Sequence, residues 1–285
     1  MDTTRRAAFA AVMCIAIACG GPDKAIEDSL REHVIFFSNF EKGMDALWSE
    51  GDTRAGLDGA KTRHHLNDGV AAMPDASDGY LEFEEGSGAL SYVVKTNFPY
   101  SESTWEGGVA FWLDVDPGSL TKDYPEPFHA GKKEGGGYPW DDGVIFVDFT
   151  KAPERSLRYG CYPNKADKDA ELPDEVVAQH VIEASGVGWK ADEWHHVAIG
   201  WKNFNSGQPN AEWALFVDGK EAGRKSGLQL DITWDTTDLP FRFNHYGYVG
   251  KIDEIAVFKK MLTPDEARYL HSPKRPLNVL LKKGP

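Results

Sequence analysis

The 285-residue sequence predicts an all-β fold, two antiparallel sheets stacked as a sandwich, with one short helix near the C-terminus. Three observations predict it. Strand-like runs recur along most of the chain, separated by clusters of Gly, Pro, Asp and Asn, and the long helical segments that a βαβ fold requires are missing. Residues 212–224 carry the signature of a β-hairpin. A capped helix begins at Thr263.

The strands read at 34–40, 79–84, 89–95, 107–115, 143–149, 155–161, 194–202, 212–217, 220–224, 240–244 and 250–259. In 212–217, Trp213, Leu215 and Val217 alternate with Glu212, Ala214 and Phe216, a period of two with one apolar and one mixed face. Asp218-Gly219 then supplies the two positive-φ positions of a tight primed turn, and Lys220 to Arg224 returns as the partner strand. At the helix, Thr263 stands as the cap and Pro264 suits the first helical position. Glu266 is placed to reach back to the Thr263 amide, and Leu262, Ala267 and Leu270 form the buried side. No internal repeat is visible.

The order Glu193-Trp194-His195-His196-Val197, then the Asp218-Gly219 hairpin, then Gly250-Lys251-Ile252-Asp253-Glu254-Ile255-Ala256-Val257-Phe258, then Thr263-Pro264-Asp265-Glu266-Ala267 resembles the C-terminal half of a laminin G-like domain. Phe36-Phe37-Ser38-Asn39-Phe40 is similar to that family's first strand, and Trp105 to Leu113 to a strand in its middle. The resemblance covers nearly all of 34–271. It implies a concanavalin A-like jelly roll and a class of function, without naming the ligand.

Residues 1–18 read as a signal peptide: Arg5-Arg6 is a basic start, and Ala7 to Ala18 is an apolar run too short to span a bilayer. Ala16-Ile17-Ala18-Cys19 resembles a bacterial lipobox, with Ala where Leu is usual. That implies lipidation of Cys19 and anchoring at the bacterial envelope after export; the alternative is an ordinary secretory signal cut near Ala18 or Gly21. The expected organisation is then a tether at 19–33, the jelly roll at 34–272 and a tail at 273–285. Of the three cysteines, Cys14 is lost with the signal and Cys19 carries lipid. Cys161 is left as a buried structural thiol with no disulfide partner.

A formal charge of -14 and a pI near 5.1, with no basic cluster, argue against a nucleic-acid partner. Nine tryptophans suit a β core first and sugar faces second. Two stretches exceed what a minimal jelly roll needs, Asp116 to Asp142 and the acidic 163–192, and long loops are where ligands are expected.

The catalytic motif of retaining glucanases, Glu-x-Asp-x-(x)-Glu, sets two carboxylates about 5 Å apart from one strand face. It does not occur here, so an enzyme is not the expectation. His64-His65 and His195-His196 are adjacent pairs that face opposite ways on a strand, so neither pair chelates one ion. The alternating Asp167, Asp169 and Glu171 lack the glycine turn of an EF-hand loop. The resemblance implies a different site for a single structural calcium, from Glu41, Asp45 and Asp253; no other cofactor is expected. Aromatic plates beside polar groups point to carbohydrate, and Tyr124, His129, Tyr138, Trp140, Asp141 and Asp142 supply both within the 116–142 loop. The expected function is a non-catalytic surface module that binds a glycan. An envelope-protein partner for a structural or adhesive domain is the alternative, with a divergent glycoside hydrolase or polysaccharide lyase behind it.

Overall fold

The computed structural model describes residues 21–57, 63–65 (backbone alone), 79–131, 142–167, 170 and 172–281. Alternating patterns along the chain become strands wherever both neighbours can pair. The N-terminal half holds α1 (Pro22–His33), β1 (Val34–Ser38), β2 (Trp48–Ser49), β3 (Gly56–Leu57), β4 (Arg63–His65), β5 (Tyr80–Phe83), β6 (Leu90–Val93), α2 (Val94–Asn97), β7 (Trp105–Asp114) and β8 (Glu126–Ala130). There follow β9 (Val144–Phe149), β10 (Leu157–Tyr162), α3 (Asp174–His180) and β11 (Val181–Ala184). The chain closes with β12 (Trp194–Phe204), β13 (Ala211–Val217), β14 (Lys220–Leu228), β15 (Pro240–Tyr246), β16 (Gly250–Phe258), α4 (Pro264–His271) and α5 (Leu277–Leu281).

These strands form two antiparallel sheets. One runs β14-β13-β12-β7-β16-β1-β2, with β5 also on β16 and β4 on β5; the other runs β11-β10-β9-β8-β15-β6-β3. The expected sandwich is therefore what forms. Period two sorts each strand: Val109, Phe111 and Leu113 of β7 enter the core between the sheets, while Ala110 faces outward. Phe36 from one sheet meets Phe241 from the other edge-on, ring centroids 5.4 Å apart. Seven of the nine tryptophans are buried, Trp105, Trp201 and Trp213 fully, so most of them serve the scaffold. The Asp218-Gly219 turn has φ of 49° and 71°, as the hairpin requires.

The outer face of the larger sheet is apolar and small-residued, with Ala110, Ala198, Ala214 and Ala256 beside Phe37, Phe216 and Phe258. Gly108 lies under the α4 approach: a Cβ there would sit 3.1 Å from the Lys260 carbonyl oxygen and 3.2 Å from Leu262 Cγ. This face is covered by α1, α4 and α5, which bring Leu30, Ala267, Leu277 and Leu280 onto it. The α4 cap is as read from sequence, with the Glu266 amide donating to Thr263 Oγ1 at 3.2 Å and the Thr263 amide to Glu266 Oε2 at 2.8 Å. Glu266 Oε1 also accepts from Lys260 Nζ (2.8 Å) and from Ser29 Oγ (2.7 Å), joining α4 to α1.

Four expectations are corrected. The tether read through residue 33 is a helix over Pro22–His33, with Ile26 and Leu30 one turn apart against the sheet and Glu27 buried, accepting from the Tyr269 hydroxyl at 2.5 Å and from Arg275 Nη1 at 3.0 Å. The tail read from residue 273 folds back as α5, because Leu277 and Leu280 complete the same layer. The 116–142 stretch contains β8, whose Phe128 and Ala130 are core. The 163–192 stretch contains α3 and β11, with acidic Asp174 and Glu175 in the first turn behind Pro173 and Ile182 in the core. The signal segment and Cys19 lie outside the described residues. Among the described residues, no helix is long and apolar enough to cross a membrane.

Candidate binding site on the outer face of the smaller sheet

β8 lies between β15 and β9, and its register sets a row across the sheet: Arg242 opposite His129, His129 opposite Phe146, Phe146 opposite Gly160. Alternation sends Phe128 and Ala130 inward and His129 outward. β15 then breaks its own alternation. Between Phe243 and Tyr246 the register shifts, Asn244 takes φ +55°, and its Oδ1 accepts the Tyr248 amide at 2.9 Å. The extra residue re-aims His245 so that its ring stacks on His129, centroids 4.1 Å apart and planes 21° apart.

Glu126, at the start of β8, hydrogen-bonds His129 and lies near His245. Its Oε1 is 2.8 Å from His129 Nδ1 and its Oε2 is 3.8 Å from His245 Nε2. One strand further, Asp148 holds Arg158 through paired contacts, Nε to Oδ1 at 2.8 Å and Nη2 to Oδ2 at 2.5 Å. The Arg158 guanidinium lies 4.8 Å from the centroid of the Tyr124 ring. The loop bearing Tyr124 is fixed from below by buried Arg155, which donates to the carbonyls of Leu120, Lys122 and Thr150. Tyr124, two residues before Glu126, is 43% exposed, and Tyr246, paired with Glu126 across the strands, is 53% exposed.

Burial governs the charges. It pushes the Glu126 carboxyl up to about 7 against the pull of His245, Arg158 and Arg242. It pushes Asp148 up to about 6 despite its bond to Arg158. Burial, followed by the Arg242 charge, drops His129 to about 3, so that imidazole is neutral. Near neutral pH the cluster thus presents guanidinium donors, a neutral imidazole and carboxyl groups close to titration, flanked by two exposed phenol rings. Such a set can hydrogen-bond hydroxyl-rich or acidic ligands, and its two imidazoles and carboxylate are also potential metal donors.

Of the residues singled out in sequence, Tyr124 and His129 come together here. Asp142 lies at the opposite end of β9, where its Oδ1 accepts the Lys165 amide at 2.7 Å. Tyr138, Trp140 and Asp141 lie outside the described residues. Glu41, Asp45 and Asp253 are not gathered into a shared ligand group among the described residues. Glu41 Oε1 accepts the Gly79 amide at 3.2 Å, Asp45 Oδ1 accepts the Ala55 amide at 2.8 Å, and Asp253 is buried within the larger sheet with Oδ1 on the Glu254 amide. His195 and His196 do face opposite ways. His195 stacks on Trp189 and bonds Asp218 at 2.9 Å, whereas His196 is buried against Trp112. Cys161 is buried and free, its thiol pushed up by burial.

Sequence reading missed Glu126, Asp148, Arg158, Arg242, His245 and Tyr246. The available signal was Asn244, a residue type that tolerates positive φ, between strand-like residues and His245.

Similarity to known proteins is confined to fold. The binding domain of Paraclostridial Mosquitocidal Protein 1 superposes with a TM-score of 0.54 at 11% identity, over 85% of this chain and 52% of that one. The botulinum neurotoxin serotype D binding domain gives 0.56 at 12% identity, over 86% and 52%. The receptor binding domain of the botulinum neurotoxin C/D mosaic serotype gives 0.55 at 11% identity, over 87% and 52%. The chain therefore spans about half the length of these structures. No curated protein matches the sequence significantly. The match to a family description covers residues 127–268, from β8 into α4, which holds the residues of the site other than Tyr124 and Glu126. Over those residues the chain matches the family model described as the concanavalin A-like lectin/glucanases superfamily.

Proposed function

We propose that this chain is a non-catalytic binding module for carbohydrate, and that its ligand lies over Tyr124 and Tyr246 against the Glu126–His129–His245 and Asp148–Arg158 groups. The observation that carries the reading is a polar cluster around buried His129 on one sheet face, with exposed Tyr124 beside the Arg158 guanidinium and exposed Tyr246 at the strand position opposite Glu126. Sugars need a stacking plate and a few convergent hydrogen-bonding groups, and this face offers both. The superfamily's description pairs lectins with glucanases, and the superposed toxin domains are described as binding or receptor binding domains. The lipobox-like tetrad ending at Cys19 supports a place at the bacterial envelope, where a glycan or another envelope protein would be met.

The test is a glycan array probed with the purified chain and with a Tyr124→Ala/Tyr246→Ala double variant. At roughly 0.5–1.5 kcal/mol for each ring, binding should weaken about 5- to 150-fold in the double variant with an unchanged melting temperature. A blank array, or equal binding by both proteins, refutes the reading. One observation favours a second reading, hydrolysis: Glu126 is held near neutral pKa beside a second carboxyl, the state a general acid needs. Reducing-sugar release that disappears in Glu126→Gln would establish it.

A further inference from the structure

We propose that Glu126, His129 and His245 form a site for one borderline divalent transition-metal ion of the zinc class. Two donor atoms that share a tetrahedral ion at about 2.0–2.1 Å each stand about 3.3–3.4 Å apart. The carboxylate oxygens of Glu126 stand 2.8 Å from His129 Nδ1 and 3.8 Å from His245 Nε2, on either side of that separation. All three residues offer a donor atom within 4.8 Å of the other two, so closing the set takes at most about 1.5 Å of side-chain movement.

The elements that carry the donors are fixed by the sheet. His129 and Glu126 come from one strand, and His245 is delivered by the bulge at Asn244. Two nitrogens and one oxygen select a borderline ion over calcium, which takes six to eight oxygens. Three protein donors leave a tetrahedral ion one open position.

The site shares its face with the proposed glycan surface but does not depend on it. The experiment dialyses the purified full chain against zinc chloride and counts bound metal, then repeats the count with cobalt(II), whose visible spectrum reports nitrogen coordination. The expected result is one equivalent per chain, weakened at least 10-fold in His245→Ala and in Glu126→Gln, and retained in the control His33→Ala on α1. Circular dichroism verifies that each variant is folded, and the milder Glu126→Gln decides the matter should His245→Ala not fold. No bound equivalent, or one that both variants keep, overturns the proposal. A glycan array run in EDTA separates the two ideas, since sugar binding there without metal uptake sinks only the metal site.

Discussion

Acidification from about pH 7.5 to about pH 5 should destabilise this protein through His196, and His196→Phe should remove that share of the loss. His196 is buried on the outer face of the larger sheet, 5.1 Å from the Trp112 ring and 6.3 Å from the His271 ring. Beside it is a small cavity lined by Leu30, Phe37, Ala110 and Leu280, with Glu254, Tyr269 and Arg275 as the polar groups of its wall. Asp218 Oδ1 takes the backbone amide of His196, and Nδ1 of the ring has no hydrogen-bond partner. Burial first and His271 second lower its pKa from 6.5 to about 3, with Asp218 pulling weakly the other way. Between those values the unfolded chain holds the proton and the folded one does not, so stability rises with pH and is lost as pH falls below about 6.5. At about pH 5 the gap is about 1.5 units, which at about 1.4 kcal/mol each gives about 2 kcal/mol. His129 adds a term of the same sign, while raised Glu126 and Asp148 add terms of the opposite sign, so the total curve alone decides nothing. Urea unfolding of both proteins at both pH values isolates His196, because any packing cost of the Phe ring cancels in the difference. Losses that agree within about 0.5 kcal/mol would refute the reasoning.

Arg158→Met strands the buried Asp148 carboxylate and should cost about 3–5 kcal/mol at about pH 8. Burial already raises Asp148 to about 6 with Arg158 in place, and losing the guanidinium raises it further, so the cost should shrink as pH falls towards about 6 and be gone below it; urea unfolding at about pH 8 and about pH 4.5 measures it. Leu30→Ala should cost about 2–5 kcal/mol, read as a lowered melting temperature. An unchanged melting temperature would restore α1 to the role of a loose tether.

What could be read in sequence was whatever depends on neighbours along the chain. The Asp218-Gly219 turn and the Thr263–Glu266 cap are complete within a few residues, and both stand in the structure as read. β8 was hidden because it is five residues long and contains Pro127, and a short run with proline reads as loop. Its place is set by β15 and β9, which are far away in sequence. The site was only partly legible for the same reason. Tyr124 and His129 announce themselves as an aromatic and a polar group in one long segment, but Glu126 gains meaning only from His245, and Asp148 only from Arg158 across a strand pair. α1 escaped notice because just Ile26 and Leu30 mark its apolar side.

The pairing of β1 with β16 has a consequence for how the chain comes into being. Phe36 and Phe37 sit opposite Val257 and Ala256, so one of the first strands to be synthesised cannot close that ladder until one of the last has left the ribosome. Meanwhile Val34-Ile35-Phe36-Phe37, every residue of it destined for burial, waits without its partner strand. Such a segment is an adhesive for other nascent chains and a natural target for holding chaperones, and truncation before residue 255 removes every β16 residue that pairs with it.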